Sequence, residues 1–160
     1  MLLQTEPLTE LTSPPLHQPA NILIIDDESR IRLALRSCLE AEGYAIEEAR
    51  DGAEAIRVIL DTRPDLAILD LAMPGLDGMS MLRELRARYR DVMPRTIVLT
   101  AWGSPPVEEE AFLLGVRDFM QKPIVPSVLR TVVDRVLRER VAEQSGDSDP
   151  GGSVGDSYLG

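Results

Sequence analysis

The chain is poor in several residue types: it has one cysteine, one histidine, one lysine and only 4% aromatic residues in a length of 160. The lone Cys38 excludes an internal disulfide and any metal site that several cysteines would build. No apolar run approaches the roughly 18 residues of a membrane-spanning helix. The first 20 residues also lack the basic and apolar segments of a secretory signal. We therefore expect a cytoplasmic protein that does not enter the membrane.

The net charge is −10, and more than half of the acidic excess lies in the two end segments. Residues 1–20 hold two acids and residues 141–160 hold four, with no base in either, which leaves 21 acids and 17 bases in residues 21–140. This balance gives no electrostatic support for binding a nucleic-acid backbone, which usually needs a basic face, so we expect no nucleic-acid partner. The Pro-rich first segment and the Gly-, Ser- and Asp-rich last segment bury too little apolar surface to fold. We expect a disordered extension over 1–20, one domain over 21–140 and an acidic tail over 141–160.

Short segments typical of strands alternate with segments typical of helices throughout the central domain. Five segments are typical of strands: 21–26, 44–49, a run that ends at Asp70, 95–101 and 117–122. Apolar residues at helical spacing follow each of them. This alternation predicts an α/β fold, a doubly wound, flavodoxin-like, five-stranded parallel sheet in the order 2-1-3-4-5 with five helices. In such a sheet, the loops at the carboxyl ends of the strands form the ligand crevice.

Charged and polar residues stand at those carboxyl ends. Asp26 and Asp27 follow the first strand, Asp70 the third, Thr100 ends the fourth, and Lys122 ends the fifth. Because these four strands are contiguous in the predicted order, we expect their side chains to share one crevice. Three carboxylates need a cation to remain charged together, and an oxygen-only set favours Mg²⁺. The single lysine, against sixteen arginines, predicts a specific use for a compact ammonium beside them.

Such a crevice suits phosphoryl chemistry. A carboxylate beside Mg²⁺ and a lysine can attack a phosphoryl group and carry it as an acyl phosphate. The transferring group needs in-line positioning and cationic contacts to its oxygens. The hydroxyl of Thr100 is then a candidate hydrogen-bond donor to a phosphoryl oxygen.

Four motifs stand in order along the chain: DDE at 26–28, LDLAMPGLDG at 69–78, LTA at 99–101 and QKP at 121–123. With them the chain resembles the response-regulator receiver domains of two-component signalling, over about residues 21–140. The resemblance implies the receiver fold and a stand-alone response regulator that a sensor histidine kinase or a histidine phosphotransfer protein phosphorylates. It implies no enzyme activity beyond phosphotransfer to the chain itself and slow self-dephosphorylation.

The resemblance also implies the roles of the acidic residues. It makes Asp70 the phosphoacceptor and one of the groups around the Mg²⁺ ion. Asp27 becomes a direct metal ligand and Asp26 a ligand that acts mainly through water. The backbone carbonyl of Ala72 completes the protein's part of the coordination.

Signal output is implied in the same way. Thr100 and Lys122 become the pair that senses the phosphoryl group, and Phe119 becomes the aromatic rotamer switch. The Lys122–Pro123 bond belongs to the same switch and is expected to be cis. On the sequence alone Phe119 is better interpreted as a core residue, and only the resemblance makes it a switch. No DNA-binding or catalytic domain follows residue 140, so we expect output through a protein target on the face of helix 4, strand 5 and helix 5, through onward phosphotransfer, or through a phosphorylation-dependent homodimer.

Two other functions stay open. An aspartyl-nucleophile phosphohydrolase would use a similar sheet, but its chemistry usually needs a second acid two residues after the nucleophile, where this chain has Ala72. A degenerate receiver that acts as a scaffold would not need the complete set of acids, threonine and lysine.

Ala72 and Trp102 are apolar where family members often have polar groups that assist an attacking water. We therefore predict slow release of phosphate from Asp70.

Overall fold

A computed structural model describes residues 18–145, with the side chains of residues 18–139. The two predicted tails therefore lie almost wholly outside the described residues. The strands are β1 (Asn21–Ile25), β2 (Ala45–Ala49), β3 (Leu66–Leu69), β4 (Arg95–Thr100) and β5 (Asp118–Gln121). The helices are α1 (Ser29–Glu40), α2 (Gly52–Thr62), α3 (Gly78–Arg88), α4 (Pro105–Leu113) and α5 (Pro126–Ser145), with a short 3₁₀ helix at Arg90–Val92.

The five strands form one sheet in the order β2-β1-β3-β4-β5, and every pairing is parallel. The predicted α/β fold and strand order are therefore confirmed. The register aligns the strands closely, since Ile24 pairs with Ile68 and Ile68 with Ile97. All strands consequently end at the same edge of the sheet, which is where the residues of the predicted site stand.

Helices cover both faces of the sheet, and each face has its own apolar core. On one face Leu23, Ile25, Leu69 and Val98 pack against α2, α3 and α4. On the other face the alternate residues of the same strands pack against α1 and α5. Burial on both faces explains why β1, β3 and β4 are mostly apolar and do not alternate between polar and apolar residues. Each fully buried Leu or Ile contributes about 1.5–3 kcal/mol, so these two layers dominate the stability of the domain.

Several helix ends follow from local chemistry. Asp51 stands directly before α2 and is of a residue type that predicts an N-cap. Its carboxylate accepts a hydrogen bond from the Glu54 backbone N–H at 2.8 Å, which confirms that prediction. Asp77 caps α3 in the same way through the Ser80 N–H at 2.9 Å. The spacing of Met81, Leu82 and Leu85 predicts a third helix over residues 79–90, but α3 runs from Gly78 to Arg88. The last helix extends to residue 145, past the predicted domain boundary at 140.

Helix α1 is less buried than the helical spacing of its apolar residues predicts, a set made up of Ile31, Ala34, Leu35, Cys38 and Leu39. Leu35 and Leu39 are buried, but Ala34 is exposed and Cys38 is only half-buried. Cys38 faces a largely apolar cavity of about 460 Å³, which it shares with Lys122 and the start of α5. Cys38, which this spacing predicts to be a small core residue, is therefore only partly buried in the core. None of the helices in the described part of the chain has the length and apolar character needed to cross a membrane.

Candidate functional site

The crevice at the carboxyl edge of the sheet brings Asp26, Asp70 and Lys122 together. The Lys122 ammonium donates hydrogen bonds to a carboxylate oxygen of Asp26 at 2.7 Å and to one of Asp70 at 3.2 Å. The two carboxylate residues are 2% and 5% exposed, and the lysine side chain is 13% exposed. The predicted convergence of β1, β3 and β5 on one site is therefore observed.

Burial and charge oppose each other in this crevice. Burial raises the pKa of the Asp26 carboxyl above its ordinary value, and the hydrogen bond from Lys122 offsets part of that rise. Burial alone would lower the pKa of Lys122, but the hydrogen bond to Asp26 and the charges of Asp26 and Asp70 outweigh it, so this pKa is raised. The ammonium is thus firmly protonated, whereas Asp26 holds its negative charge at a cost.

Backbone groups orient the two buried carboxylates. The Glu28 N–H donates to the Asp26 carboxylate at 2.9 Å, and the Ala72 N–H donates to that of Asp70 at 3.1 Å. In each case the donor lies two residues beyond the acid, so the loop after the strand folds back over its own carboxylate. The side chain of Arg32 also donates to the Asp26 carbonyl at 2.8 Å, which ties α1 to the end of β1.

Asp26, Asp27 and Asp70 form a group that is able to bind a metal ion. Each offers a carboxylate oxygen, and the three atoms lie within 4.8 Å of one another. Asp27 is exposed, whereas the other two are buried, so the group opens to solvent on one side. A set of oxygen ligands that is partly accessible to water fits Mg²⁺, which keeps several of its waters. The role of the Ala72 carbonyl as a further ligand stays a prediction.

Gly78 is a site residue for which the sequence interpretation assigned no role. A Cβ at this position would lie 2.7 Å from the carbonyl oxygen of Asp70 and 2.8 Å from the Cα of Leu71. The N–H of Gly78 donates to the Leu71 carbonyl at 3.1 Å. Only glycine at this position allows the start of α3 to pack this closely on the backbone of Asp70 and Leu71. The LDG sequence at 76–78 was the available signal, since a glycine at a helix start has either a conformational or a packing cause.

The residues predicted to act as the switch lie on β4 and β5. Thr100 is fully buried at the end of β4, and its hydroxyl oxygen accepts a 3.3 Å hydrogen bond from the Trp102 N–H. Phe119 is half-buried and packs against the core of the α2, α3 and α4 face. Its ring lies against Gly103, where a Cβ would meet the ring at 2.7 Å. The Lys122–Pro123 peptide bond is cis, as the resemblance implied.

The two apolar residues that flank the crevice do not cover it in this structure. Ala72 is exposed, and the Trp102 side chain is 79% exposed. The indole therefore points largely into solvent instead of packing over Asp70. Slow release of phosphate, which these residues suggested, stays a prediction.

The chain matches known proteins over most of its described length. A family model described as the response regulator receiver domain matches residues 22–134. The transcriptional regulatory protein ResD of Bacillus subtilis is 44% identical over 117 residues, which are 73% of this chain and 48% of that protein. The response regulator MprA of Mycobacterium sp. strain KMS is 35% identical over 130 residues, which are 81% of this chain and 56% of that protein. The chain spans about half the length of these curated relatives.

Solved structures with the same fold include a CheY-like receiver domain protein from Methanospirillum hungatei. That structure has a TM-score of 0.72 at 26% identity and covers 78% of this chain and 98% of its own. The signal receiver domain of a LuxO repressor protein from Vibrio parahaemolyticus has a TM-score of 0.75 at 27% identity, with 82% and 99% of the two chains covered. The family model, the relatives and the acidic crevice agree: this chain belongs to the response regulator receiver domain family of two-component systems.

Proposed function

We propose that this chain accepts a phosphoryl group on Asp70 from a phosphohistidine of a sensor histidine kinase or a histidine phosphotransfer protein. The phosphorylated form then changes its contacts with a downstream protein. The observation that supports this most directly is the Lys122 ammonium, which hydrogen bonds to both Asp26 and Asp70. Apart from phosphotransfer to itself and slow self-dephosphorylation, the chain acts as a binding module and not as an enzyme.

The transfer to Asp70 is a displacement at phosphorus. A carboxylate oxygen of Asp70 forms the new P–O bond while the P–N bond of the phosphohistidine breaks, and the electron pair of that bond stays on the imidazole nitrogen. The Ala72 N–H holds one oxygen of the Asp70 carboxylate, and Lys122 contacts the other. These contacts fix the orientation of the nucleophile before the donor arrives. The same ammonium is then in place to donate to an oxygen of the bound phosphoryl group.

We propose that the acidic group holds Mg²⁺ during this step. Asp27 is the direct ligand, Asp26 acts mainly through water, and Asp70 with the Ala72 carbonyl completes the set. The three carboxylate oxygens within 4.8 Å support this assignment. When bound, the ion supplies positive charge that stabilises the oxygens of the transferring group. The raised pKa of Asp26 is a further reason for a cation, because the protein alone does not fully compensate that charge.

The signal would pass from Asp70 to the face formed by α4, β5 and α5. In this structure the Thr100 hydroxyl accepts a hydrogen bond from Trp102. In the phosphorylated form we propose that it turns and donates to a phosphoryl oxygen, and that Phe119 turns further inward. The phosphoryl group then stabilises the second conformation relative to the first. The change is a shift in the populations of two conformations. A downstream protein or a second copy of this chain would bind the altered face, where the side chains of Phe112 and Leu113 are exposed.

Phosphorylation by a small-molecule donor tests this function. Acetyl phosphate should add one phosphoryl group to the intact protein in the presence of Mg²⁺, and the mass should stay unchanged when EDTA replaces the ion. Asp70→Asn should show no mass gain, whereas Asp61→Asn, an exposed acid in α2, should behave as the wild type. Equal modification of wild type and Asp70→Asn would contradict the proposed phosphoacceptor. Modification of wild type in EDTA at the full rate would contradict the role of the metal.

A further inference from the structure

Four arginines line a groove at the edge of the sheet opposite the acidic crevice. Arg86 lies in the last turn of α3, Arg90 in the 3₁₀ helix, Arg95 at the start of β4 and Arg117 just before β5. The groove has a volume of about 380 Å³. It lies far from Asp70, because β4 and β5 begin at this edge and end at the phosphorylation site. It therefore has no part in the proposed phosphotransfer.

The groove concentrates positive charge on an otherwise acidic protein. None of the residues that line it is acidic, although the chain has a net charge of −10. Two acids on the helices that border the groove are paired elsewhere, since Glu84 binds Arg88 and Glu110 binds Arg83. Asp91, next to Arg90, is exposed and is not part of the lining.

Two of the four guanidinium groups are available for a ligand. Arg86 and Arg90 are exposed and form no ion pair with any residue that the structure describes. Arg95 is half-buried, and both it and Arg117 take part in further interactions within the protein. Contacts within the protein thus hold Arg95 and Arg117, whereas the exposed side chains of Arg86 and Arg90 are able to change conformation around a ligand.

The turn after α4 completes the groove. Gly115 adopts a φ of +99°, a conformation that favours glycine, and a Cβ at this position would lie 3.9 Å from a terminal nitrogen of Arg86. The turn therefore brings the Arg86 guanidinium of α3 close to the start of β5. Phe112, which is 44% exposed, forms an apolar wall of the same groove together with Met93 and Pro94.

We propose that this groove binds a small organic phosphate of the nucleoside diphosphate type. Guanidinium groups bind phosphate oxygens through two parallel hydrogen bonds, so several convergent arginines match a ligand with more than one phosphate. The exposed ring of Phe112 provides a surface on which a base can stack. The volume lies in the range of small-molecule sites, and the negative charge of the rest of the chain disfavours a long polyanion such as DNA.

Equilibrium dialysis of the full chain tests this proposal with ADP, GDP and pyrophosphate as probes. EDTA is present throughout, so that a metal-bound nucleotide cannot enter the acidic crevice. One molecule of ADP or GDP should bind per chain, and rising salt should weaken binding because phosphate contacts are electrostatic. Pyrophosphate should bind more weakly, because it lacks a base to stack on Phe112. Phe112→Ala should weaken the nucleotides but not pyrophosphate.

Matched variants distinguish the groove from a general charge effect. Arg86→Gln with Arg90→Gln should weaken ADP binding by about tenfold or more, since charged hydrogen bonds are lost. Arg30→Gln with Arg57→Gln removes the same charge from exposed positions in α1 and α2 and should leave binding unchanged. Equal weakening in both pairs, or no binding by wild type, would overturn the site.

Asp70→Asn should bind ADP as wild type does, so this proposal and the proposed phosphoacceptor can fail independently. If pyrophosphate binds as tightly as ADP, the role of Phe112 is wrong and the groove is a site for inorganic phosphates.

Discussion

The ammonium of Lys122 lies 2.7 Å from the buried carboxylate of Asp26, although 96 residues separate them in the chain. The contact joins the end of β5 to the end of β1 across two intervening strands. It also leaves Lys122 within 3.2 Å of Asp70, so one cation serves two buried acids. Two carboxylates against one ammonium leave a net negative charge in the crevice, with Asp27 adding to it, and this imbalance underlies the first two predictions.

Replacement of Lys122 by methionine should tighten the binding of Mg²⁺ several-fold. The ammonium repels a divalent ion bound to the same carboxylates, and its removal leaves a more negative site. In EDTA the variant should be less stable by about 2 kcal/mol, because Asp26 loses its hydrogen-bonded cation. Magnesium titration by calorimetry and urea unfolding measure the two effects. Arg57→Met, a charge removal on an exposed helix position, should change neither, and weaker Mg²⁺ binding by Lys122→Met would contradict the proposed site.

The pH dependence of stability should reveal the cost of the Asp26 charge. Burial raises the pKa of Asp26 above the value of 3.8 that it has when unfolded. The folded state then binds the proton more readily, so the Asp26 contribution to stability falls as the pH rises from 3.8 through the raised pKa. In EDTA, the free energy of unfolding of wild type minus that of Asp26→Asn should therefore decrease over this range. A difference that rises with pH would contradict the raised pKa of Asp26, because it would show that Lys122 more than compensates the burial of the carboxylate.

The cap of α3 should have the opposite pH dependence. Hydrogen bonds from Ser80 lower the pKa of Asp77 below 3.8, so its contribution to stability is present above the unfolded pKa and is lost as the pH falls through the lowered value. Asp77→Ala should cost about 1 kcal/mol near neutral pH and less in acid. Urea unfolding at several pH values measures this change. Asp61→Ala, at an exposed position near the end of α2, should show no such loss.

Gly78→Ala should impair both stability and phosphorylation. The new Cβ would clash with the backbone of Asp70 and Leu71, and the shift of either segment should cost about 2 kcal/mol. Because the shift moves the Asp70 backbone, the rate of modification by acetyl phosphate should also fall. Gly43→Ala is the control: its φ of +89° costs stability, but its surroundings are open and far from Asp70, so its phosphorylation rate should be that of wild type. Equal rates in the two variants would contradict the positioning role of Gly78.

Release of phosphate from Asp70 should be slow and should accelerate in variants that offer polar groups nearby. Ala72→Gln places an amide two residues after Asp70, and Trp102→Gln places one two residues after Thr100. Either amide is able to hydrogen bond to a water that attacks the phosphoryl group. Loss of the phosphoryl group can be followed by intact mass after removal of the donor. Leu113→Gln, a polar substitution at an exposed site on α4, should leave the rate unchanged. A wild-type half-life of seconds would contradict the prediction.

The fold was predictable because its signals are local and repeated. Five segments of strand length, each followed by a segment typical of a helix, permit few arrangements other than a parallel sheet covered on both faces. The caps and glycines were harder to assign. Asp51 stands directly before its helix and was predicted as a cap, but the use of Gly78 depends on the backbone of Asp70, which contacts it only in the folded chain.

The sequence by itself determined the order of the strands and helices. It also determined that three aspartates and the single lysine stand at the ends of strands. Both follow from the spacing of hydrophobic residues along the chain, which is a property of neighbouring residues. Only the tertiary structure decided that Asp26 is buried while Asp27 is exposed, and that Cys38 faces a cavity. It also decided that arginines from α3, the 3₁₀ helix, β4 and the turn before β5 meet in one groove. Such outcomes depend on the packing of distant segments, which no local pattern encodes.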